Sequence, residues 1–460
     1  MANQNLLTYN SKVSTIEQSF YAPVSSIIGT TEVINTTYCF ISRIVPWTSE
    51  SSPEVPSQSQ KYLKNVFKNM FALKKIKSSD ISPVIPRVNW TSGVVYDYYR
   101  DDIDLLAEDL NGNNVYNYYI KNSYDQVFKC LWNNNGLAST KEPYFQPGTY
   151  GTNKIFNDTD GYKWKYIYTV DIGSKTKYMD EIWMPVPVGL NTPNPLSSAA
   201  GAGSIDVINV INGGSGYNPT ISLINVNIIG DGTGATASAI TVGGIITDII
   251  VTSPGTNYTY ATITISSSVG SGCTAIAPTS PIGGHGFDPI SEFACNRIMY
   301  TVEFNSSETY DGVSYIPTDI DYRQIGLLVN PISKTSYITK TNADKDIYKA
   351  STDLTVAGGA GIYAADEIIY QGSSLATASF TASMLSFDTA SNVVRLINIT
   401  GTPILNAQIF GNSSGCTRTL LKVDPSDFVT PSGYLTYIEN RTAVQRSVDG
   451  IEQFKFILEF

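Results

Sequence analysis

The sequence predicts a mainly-β protein of several β-sandwich domains, with one amphipathic helix and one inserted small β-repeat domain. Short segments that alternate apolar and polar residues, separated by Gly, Pro, Asn and Asp, recur along the whole chain, as in half-buried strands. Only one segment shows helical periodicity. At 460 residues, the chain also exceeds the roughly 250–300 residues that a single core usually serves, so we expect more than one domain.

Residues 1–190 form the first predicted region. Its earliest strand candidate is Thr37–Val45, and the following Ser49–Ser59 is predicted to be a loop because it holds two prolines and five serines. Tyr116–Trp132 and Lys163–Val170 also have strand patterns. Within the last of these, the aromatic residues Trp164, Tyr166 and Tyr168 share one face. A sugar-stacking platform is one interpretation of that face, but we expect it to be core.

Gln60–Ile76 is the predicted amphipathic helix, since its apolar residues recur at intervals of three and four. Ser82-Pro83 and Ile85-Pro86 should end it. Lysines occupy the opposite face. Four of them are candidate partner contacts: Lys61, Lys64, Lys68 and Lys75. Such a row of lysines is more commonly a solvated helix face. The more specific hypothesis is that this face docks on an acidic neighbour.

A second candidate contact is the acidic, tyrosine-rich segment YDYYRDDID, residues 96–104. Its predicted interface residues are Tyr96, Tyr98, Arg100, Asp101 and Asp102. The clustered carboxylates could also suggest a hard-cation site, as could Asp158 and Asp160. Neither segment has oxygen ligands in the register of a calcium-binding loop, so we expect no bound metal.

Residues 195–281 change composition abruptly: Lys, Arg and Glu nearly disappear, and Gly, Ser, Thr, Ile and Val dominate. The segment also repeats with a period of about 40, in which Tyr217 matches Tyr258 and Gly234 matches Gly272. Each unit is expected to form a pair of β-hairpins, and two units could close one small sandwich or barrel. We expect Tyr217 and Tyr258 to be exposed, and on that basis a carbohydrate-binding or host-adhesion module is the alternative function.

The remaining regions are 282–344, a core β region; 345–422, a second variable β domain; and 423–460, C-terminal strands that return to the core. The first opens with a tight corner in which Gly283, Gly284 and Gly286 can take positive φ around His285, the only histidine. Strands are expected at Ile298–Phe304 and within later segments: Ile325–Val329, Glu367–Tyr370, Val393–Ile399, Ile404–Phe410, Tyr434–Glu439 and Gln453–Phe460.

Charge and residue usage exclude several classes of function. The formal charge of −10 provides no basic face for nucleic acid. Five scattered cysteines indicate free thiols in a reducing compartment. The sequence begins without a signal-peptide pattern and contains no apolar run of 18 residues, so we expect no membrane-spanning segment.

Catalytic signatures are equally sparse. Zinc chemistry and triad catalysis both lack the necessary histidines, and no phosphate-binding loop precedes a helix. Carboxylate pairs arise by chance among 40 acidic residues, so the sequence leaves a polysaccharide-degrading site open but specifies none. We therefore expect no enzyme activity, no cofactor and no small-molecule substrate.

Several motifs together resemble one family. They are GGHG-x-DP at 283–289 and IPTD-x-DYRQIG at 316–326, with supporting blocks at residues 82–104, 122–136, 160–171, 183–188 and 437–460. In order and spacing they are similar to the baseplate wedge family of T-even-like contractile-tailed bacteriophages. The 195–281 segment departs from that pattern.

The resemblance implies a structural subunit that holds neighbouring wedge proteins together through assembly and contraction. It further implies a homodimer that contacts other baseplate wedge proteins, is assembled in the host cytoplasm and resides in the tail baseplate of the virion.

Overall fold

A computed structural model describes residues 25–28, 31–34, 36–105, 107, 115–146, 155–188, 203–218, 224–281, 283–305, 309–310, 313–314, 316–336 and 342–459. Strands dominate and helices are few, so the predicted mainly-β, multi-domain class is confirmed. The chain divides into two compact units. The first is built mainly from Ser82–Met299, with Ile457–Phe460 added, and the second mainly from Tyr300–Phe456, with Glu17–Ile81 added. The predicted boundary at residue 195 lies outside the described residues.

Twenty-nine strands occur within the described ranges. Those before the repeat segment are β1 Ser25–Ile28, β2 Thr31–Ile34, β3 Thr37–Ser42, β4 Met70–Lys75, β5 Ile81–Pro86, β6 Tyr119–Lys121, β7 Gln126–Trp132, β8 Ile155–Asn157, β9 Lys163–Thr169 and β10 Trp183–Pro185. Those within it are β11 Asn209–Ser215, β12 Ile224–Gly230, β13 Thr233–Val242, β14 Ile245–Thr256, β15 Ala261–Ile265 and β16 Ser271–Ile276.

The later strands are β17 Arg297–Asn305, β18 Thr309–Tyr310, β19 Val313–Ser314, β20 Ile320–Val329, β21 Ile347–Lys349, β22 Thr352–Val356, β23 Ile368–Gln371, β24 Phe380–Asp388, β25 Val393–Gly401, β26 Gln408–Gly411, β27 Thr417–Asp424, β28 Tyr434–Arg446 and β29 Ile451–Glu459. Within the same described ranges, the α-helices are α1 Gln60–Asn69, α2 Ile172–Tyr178 and α3 Pro289–Glu292. Short 3₁₀ turns span Ser78–Asp80, Lys334–Ser336 and Leu375–Thr377.

The predicted helix Gln60–Ile76 is wrong in its second half, because α1 ends at Asn69 and the chain continues as β4. Met70 to Leu73 are all buried. A strand inside a sheet buries both of its faces, whereas a surface helix buries only one stripe. Pairing with β3 on one side and β21 on the other therefore overrides the helical periodicity. The prolines at positions 83 and 86 lie within β5 and do not terminate the helix.

In the second unit, β4 and β3 belong to a five-stranded sheet of order β21-β4-β3-β20-β28. Helix α1 packs on this sheet. Its buried Val66 and Phe67 join a cluster that includes Tyr38, Phe40 and Leu328. The sheet therefore positions the helix, and the polar face of α1 is turned away from the core.

The second unit also contains a closed barrel of order β22-β25-β24-β23-β26-β27, which has internal symmetry that the sequence did not predict. Its two halves are three strands each, offset by 40 residues. Asp366 and Asn406 both have φ of 60°. Tyr370 pairs with Phe410 across the β23–β26 contact, where their rings stack at 5.4 Å. Equal backbone conformations at matched positions indicate two copies of one three-stranded unit.

The first unit contains a four-stranded sheet of order β6-β7-β9-β8. Trp164, Tyr166 and Tyr168 of β9 are buried, so their prediction as core residues is confirmed. The glycine corner is also as predicted: Gly283, Gly284 and Gly286 have φ of 87°, 88° and 80°.

The repeat segment forms one six-stranded sheet of order β11-β16-β15-β12-β13-β14. Each repeat supplies three strands, β11–β13 and β14–β16. The first strand of each repeat pairs with the last strand of the other, β11 with β16 and β14 with β13. An additional bridge joins Ile208 to Ile249, so the two ends of the strand order meet. Tyr217 and Tyr258 are buried at 4% and 6% exposure, and the expectation that they are exposed is therefore wrong.

Candidate interaction site

Helix α1 exposes a lysine face, which we define as Lys61, Lys64 and Lys68. The helix begins after Ser59, whose hydroxyl accepts a hydrogen bond from the backbone N–H of Tyr62 at 3.3 Å. The three lysines have no ion-pair partner among the described residues. Since α1 carries no acidic residue in its first turn, nothing within the helix offsets this positive charge.

Lys75, the fourth lysine predicted for this face, lies elsewhere. It is the last residue of β4, and its Nζ donates to the backbone oxygen of Asp344 at 3.1 Å. The position of Lys75 follows from the strand that replaces the second half of the predicted helix. The candidate face is therefore limited to the three lysines of α1.

Two concave surfaces flank the lysine face. The first, called here the anchor cavity, has a volume of about 290 Å³. Its lining residues are Lys64, Phe67, Lys68, Ala350, Thr352, Leu396, Ile397, Asn398, Ile399, Ser426, Thr430 and Pro431. The second, called the outer groove, has a volume of about 610 Å³ and is lined by Ser57, Ser59, Lys61, Tyr62, Lys64, Asn65 and Lys68. Lys64 and Lys68 line both, and none of the described residues in either lining carries a carboxylate.

The predicted acidic contact segment is only partly available to a partner. Tyr96 is 2% exposed and packs in the core at 5.9 Å from the ring of Trp164, so its assignment to an interface is wrong. Tyr98 is half-buried, edge-on to Trp132. Aromatic side chains are buried more often than charged side chains, and Tyr96 follows that tendency.

The charged residues of this segment have partners within the chain. Arg100 donates to both carboxylate oxygens of Asp102, at 2.9 and 2.7 Å. Asp101 accepts from the backbone N–H and the hydroxyl of Thr279, at 2.8 and 2.7 Å. The Arg100 guanidinium is the first cause of the lowered pKa of Asp102. Asp101 therefore fastens the end of the repeat segment, while Arg100 and Asp102 remain exposed as a pair.

These residues border a third concave surface, the repeat groove, of about 620 Å³. It is lined by Tyr98, Arg100, Asp101, Asp102, Ile211, Thr259, Tyr260, Ala261, Thr262, Ile263, Ala275, Ile276, Ala277 and Pro278. Tyr260 is 58% exposed. An exposed aromatic ring beside an arginine–aspartate pair is chemically suited to a polar ligand with one apolar face.

A buried ionic cluster that the sequence did not predict lies beneath the glycine corner. The Nζ of Lys129 is 2.8 Å from Glu292 Oε1 and 3.2 Å from His285 Nδ1. Burial, followed by the Lys129 charge, lowers the pKa of His285. Burial opposes ionisation of Glu292, but Lys129 and His285 together hold its pKa at about 2. All three side chains are almost fully inaccessible, so this cluster is structural.

One of the suspected cation ligands, Asp160, has another role. Asp160 Oδ2 accepts hydrogen bonds from Ser139, Thr140 and Lys141, and so organises a loop. Among the described residues, no three His, Cys, Asp or Glu side chains are grouped as metal ligands. No helix in this part of the chain is long and apolar enough to cross a membrane.

Comparisons with known proteins leave the family open. A scan against protein-family models found no match, and a search of the curated proteins found none either. The resemblance to the wedge family therefore rests on the quoted motifs alone.

Sequence reasoning found the lysines but missed the anchor cavity. Five of its twelve lining residues come from the barrel, more than 280 residues further along the chain. The spacing of the lysines by three and four residues indicated that they share one helix face. No local pattern indicates that Ile397 and Asn398 lie beside them.

Proposed function

We propose that this protein is a structural subunit of a phage tail baseplate wedge, which holds neighbouring proteins through assembly and contraction. The observation that carries the proposal is the lysine face: Lys61, Lys64 and Lys68 are exposed and lack ion-pair partners within the described residues, in a chain of net charge −10. Complementary charge steers association and fixes register between proteins. The wedge assignment itself comes from the motif resemblance.

Bonds between two sheets of the first unit support a role in transmitting force. Lys163 Nζ contacts Asp248 Oδ1 at 2.8 Å and the backbone oxygen of Ile208 at 2.9 Å. Asn209 donates to the backbone oxygen of Leu131 at 2.9 Å. These bonds join the six-stranded sheet to the sheet that contains β7 and β9. The repeat segment is thus fastened to its neighbours, as a module that transmits force would need to be.

By the same resemblance, we propose that the protein forms a homodimer, binds other baseplate wedge proteins and resides in the virion tail. It would need neither a cofactor nor a catalytic residue for this work. Large interfaces, rather than a reactive site, would hold one arrangement before contraction and another after it.

The test is the mass of the full-length chain in solution, alone and mixed with the other baseplate proteins of its phage. We expect a dimer that joins a discrete larger complex. The variant Lys61→Glu/Lys64→Glu/Lys68→Glu should weaken that complex at least tenfold, because it reverses the charge of the face. Lys422→Glu, which reverses an exposed lysine on the barrel, is the matched control. A monomer that ignores the other proteins would contradict the proposal.

A carbohydrate-binding or adhesion role is the second candidate, and the repeat groove is the observation that favours it. The exposed ring of Tyr260 could stack on a sugar, while Arg100 could donate hydrogen bonds to it and Asp102 could accept them. A glycan array probed with the full-length chain would test this role. Binding that disappears in Tyr260→Ala would support the carbohydrate-binding role, and an array without signal would contradict it.

A further inference from the structure

We infer that the anchor cavity receives an apolar side chain from an acidic segment of a partner protein, while Lys64 and Lys68 pair with carboxylates on either side of that side chain. This inference deepens the proposed function, on which its biological setting rests. It names the chemistry of the partner at the lysine face and divides the contact into an electrostatic part and an apolar part.

The cavity is lined by both apolar and hydroxyl-bearing residues. Phe67 of α1 and Ile397 of β25 are 9% and 2% exposed, and Ile399 is half-buried beside them. Thr352, Ser426 and Thr430 add hydroxyl-bearing side chains to the lining. A volume of about 290 Å³ lies near the lower end for binding pockets and accommodates a single large side chain. Such a side chain would cover the apolar lining residues, and the hydroxyl groups could bond to the partner's backbone.

The charges at the cavity select an anionic occupant. Lys64 and Lys68 are four residues apart on α1, and thus lie one above the other on the same face. Each contributes to the anchor cavity and to the outer groove. The described lining residues of both concavities include no carboxylate, so among them the two positive charges have no local counter-charge. Carboxylates placed along this ridge would gain charge-assisted hydrogen bonds.

A protein segment fits these features better than a nucleic acid does. Three lysines neutralise few phosphates, and the net charge of −10 repels a long polyanion. A short acidic peptide avoids most of that repulsion because it carries fewer charges. It also supplies an aliphatic or aromatic side chain of the size that the cavity admits.

The probes are two fluorescein-labelled peptides, Glu-Glu-Phe-Glu-Glu and Glu-Glu-Gly-Glu-Glu, titrated against the full-length chain at low salt. A labelled DNA duplex of 12 base pairs serves as the competing class of occupant. We expect the phenylalanine peptide to bind at least tenfold more tightly than the glycine peptide, and both to bind more tightly than the duplex. Added salt should weaken both peptides, since their shared part is electrostatic.

Two variants separate the two parts of the contact. Thr352→Trp should fill the cavity and abolish the preference for phenylalanine while the glycine peptide still binds. Lys64→Glu/Lys68→Glu should weaken both peptides at least tenfold. Thr355→Trp, on the same strand β22 but outside the cavity lining, is the matched control and should change neither. Unfolding midpoints of all variants are measured first, and Ser426→Trp, at another lining residue, is a second cavity-filling variant if Thr352→Trp is unstable.

Equal affinity for the two peptides, no binding of either, stronger binding of the duplex, or an unchanged preference in both cavity-filling variants would overturn the inference. The mass measurement on wedge assembly decides the proposed function separately. If the complex forms normally with Thr352→Trp but not with the double lysine variant, the lysine face is still a docking surface. The claim that an apolar side chain enters the anchor cavity would then be wrong.

Discussion

Tyr217 and Tyr258 occupy equivalent positions in the two repeats, and each bonds to the backbone of the other repeat. The hydroxyl of Tyr217 accepts from the N–H of Cys273 at 3.3 Å, and the hydroxyl of Tyr258 accepts from the N–H of Ala235 at 3.3 Å. Ala235 and Cys273 each follow one of the matched glycines, Gly234 and Gly272. The repeats are therefore interlocked, and the tyrosines that suggested a sugar platform hold the sheet together.

The first prediction concerns these two hydroxyls. Tyr217→Phe and Tyr258→Phe should each lower the free energy of unfolding by about 1 kcal/mol, the usual net value of one hydrogen bond. Replacement by Ala should cost about 3–5 kcal/mol because it also leaves a cavity. Denaturant unfolding of the full chain measures both effects. Tyr260→Ala, at an exposed position, is the control, and a comparable loss there would contradict the assignment.

The second prediction uses two glycines with the same backbone conformation but different surroundings. Gly255 has φ of 63°, and a β-carbon there would approach the backbone nitrogen of Ala235 to 2.5 Å. Gly243 has φ of 60° with open space around it. Gly243→Ala should cost about 1 kcal/mol, from the left-handed conformation alone. Gly255→Ala should cost a further 1–3 kcal/mol, as overpacking does.

The same unfolding experiment compares the two glycine variants. Equal losses would show that the close approach of the repeats at Gly255 does not constrain the sheet. Since Gly214 has φ of 62° and lies against Ser271 and Cys273 in the same way, Gly214→Ala should reproduce the larger loss.

The third prediction concerns a protected sheet edge. Strand β28 is the last strand of its sheet, and the indole N–H of Trp47 donates to the backbone oxygen of Arg441 at 2.8 Å. An open strand edge invites pairing with another chain. Trp47→Phe keeps a ring beneath the Arg43 guanidinium, which stacks at 3.6 Å, but removes the donor.

We therefore expect Trp47→Phe to lose about 1 kcal/mol of stability and to increase self-association, measured by light scattering at several protein concentrations. Trp183→Phe is the control, because the indole N–H of Trp183 makes no hydrogen bond within the described residues. Scattering that rises equally in both variants would mean that Trp47 does not guard the edge.

The sequence predicted much of this fold where one residue pattern has one physical solution. The alternation at Lys163–Val170 became β9, and the glycines around His285 took positive φ because bulkier residues are strained there. The pattern at Gln60–Ile76 had two solutions. Its first ten residues became α1, whereas its last part was captured by two neighbouring strands that no local rule reveals.

The candidate site shows the same division. Lys61, Lys64 and Lys68 could be placed on one face from their spacing, but Lys75 could not, since its position depends on pairing with β3 and β21. The internal symmetry of the barrel was not predicted, because only short segments around Tyr370 and Phe410 resemble one another in sequence. Long-range pairing, rather than residue preference, decides these features.

The fourth prediction is that acid destabilises the first unit through its buried cluster. The pKa of Glu292 falls from 4.5 to about 2 in the folded chain, and that of His285 is lowered from 6.5. Both groups therefore bind protons more readily when unfolded. Their stabilisation is present above the ordinary pKa and is lost as the pH falls, below about 6.5 for His285 and between 4.5 and about 2 for Glu292. The Glu292 shift corresponds to roughly 3 kcal/mol.

Unfolding free energies measured from pH 8 to pH 2 test this cluster. His285→Gln should flatten the curve below about pH 6.5, and Glu292→Gln should flatten it below 4.5. At neutral pH, Glu292→Gln should also cost about 3–5 kcal/mol, because it leaves the buried Lys129 ammonium without its carboxylate. Glu181→Gln, on the exposed surface of the same unit, is the control. If the Glu292→Gln curve ran parallel to that of the unaltered chain, the Lys129–Glu292 pair would not be the source of acid sensitivity.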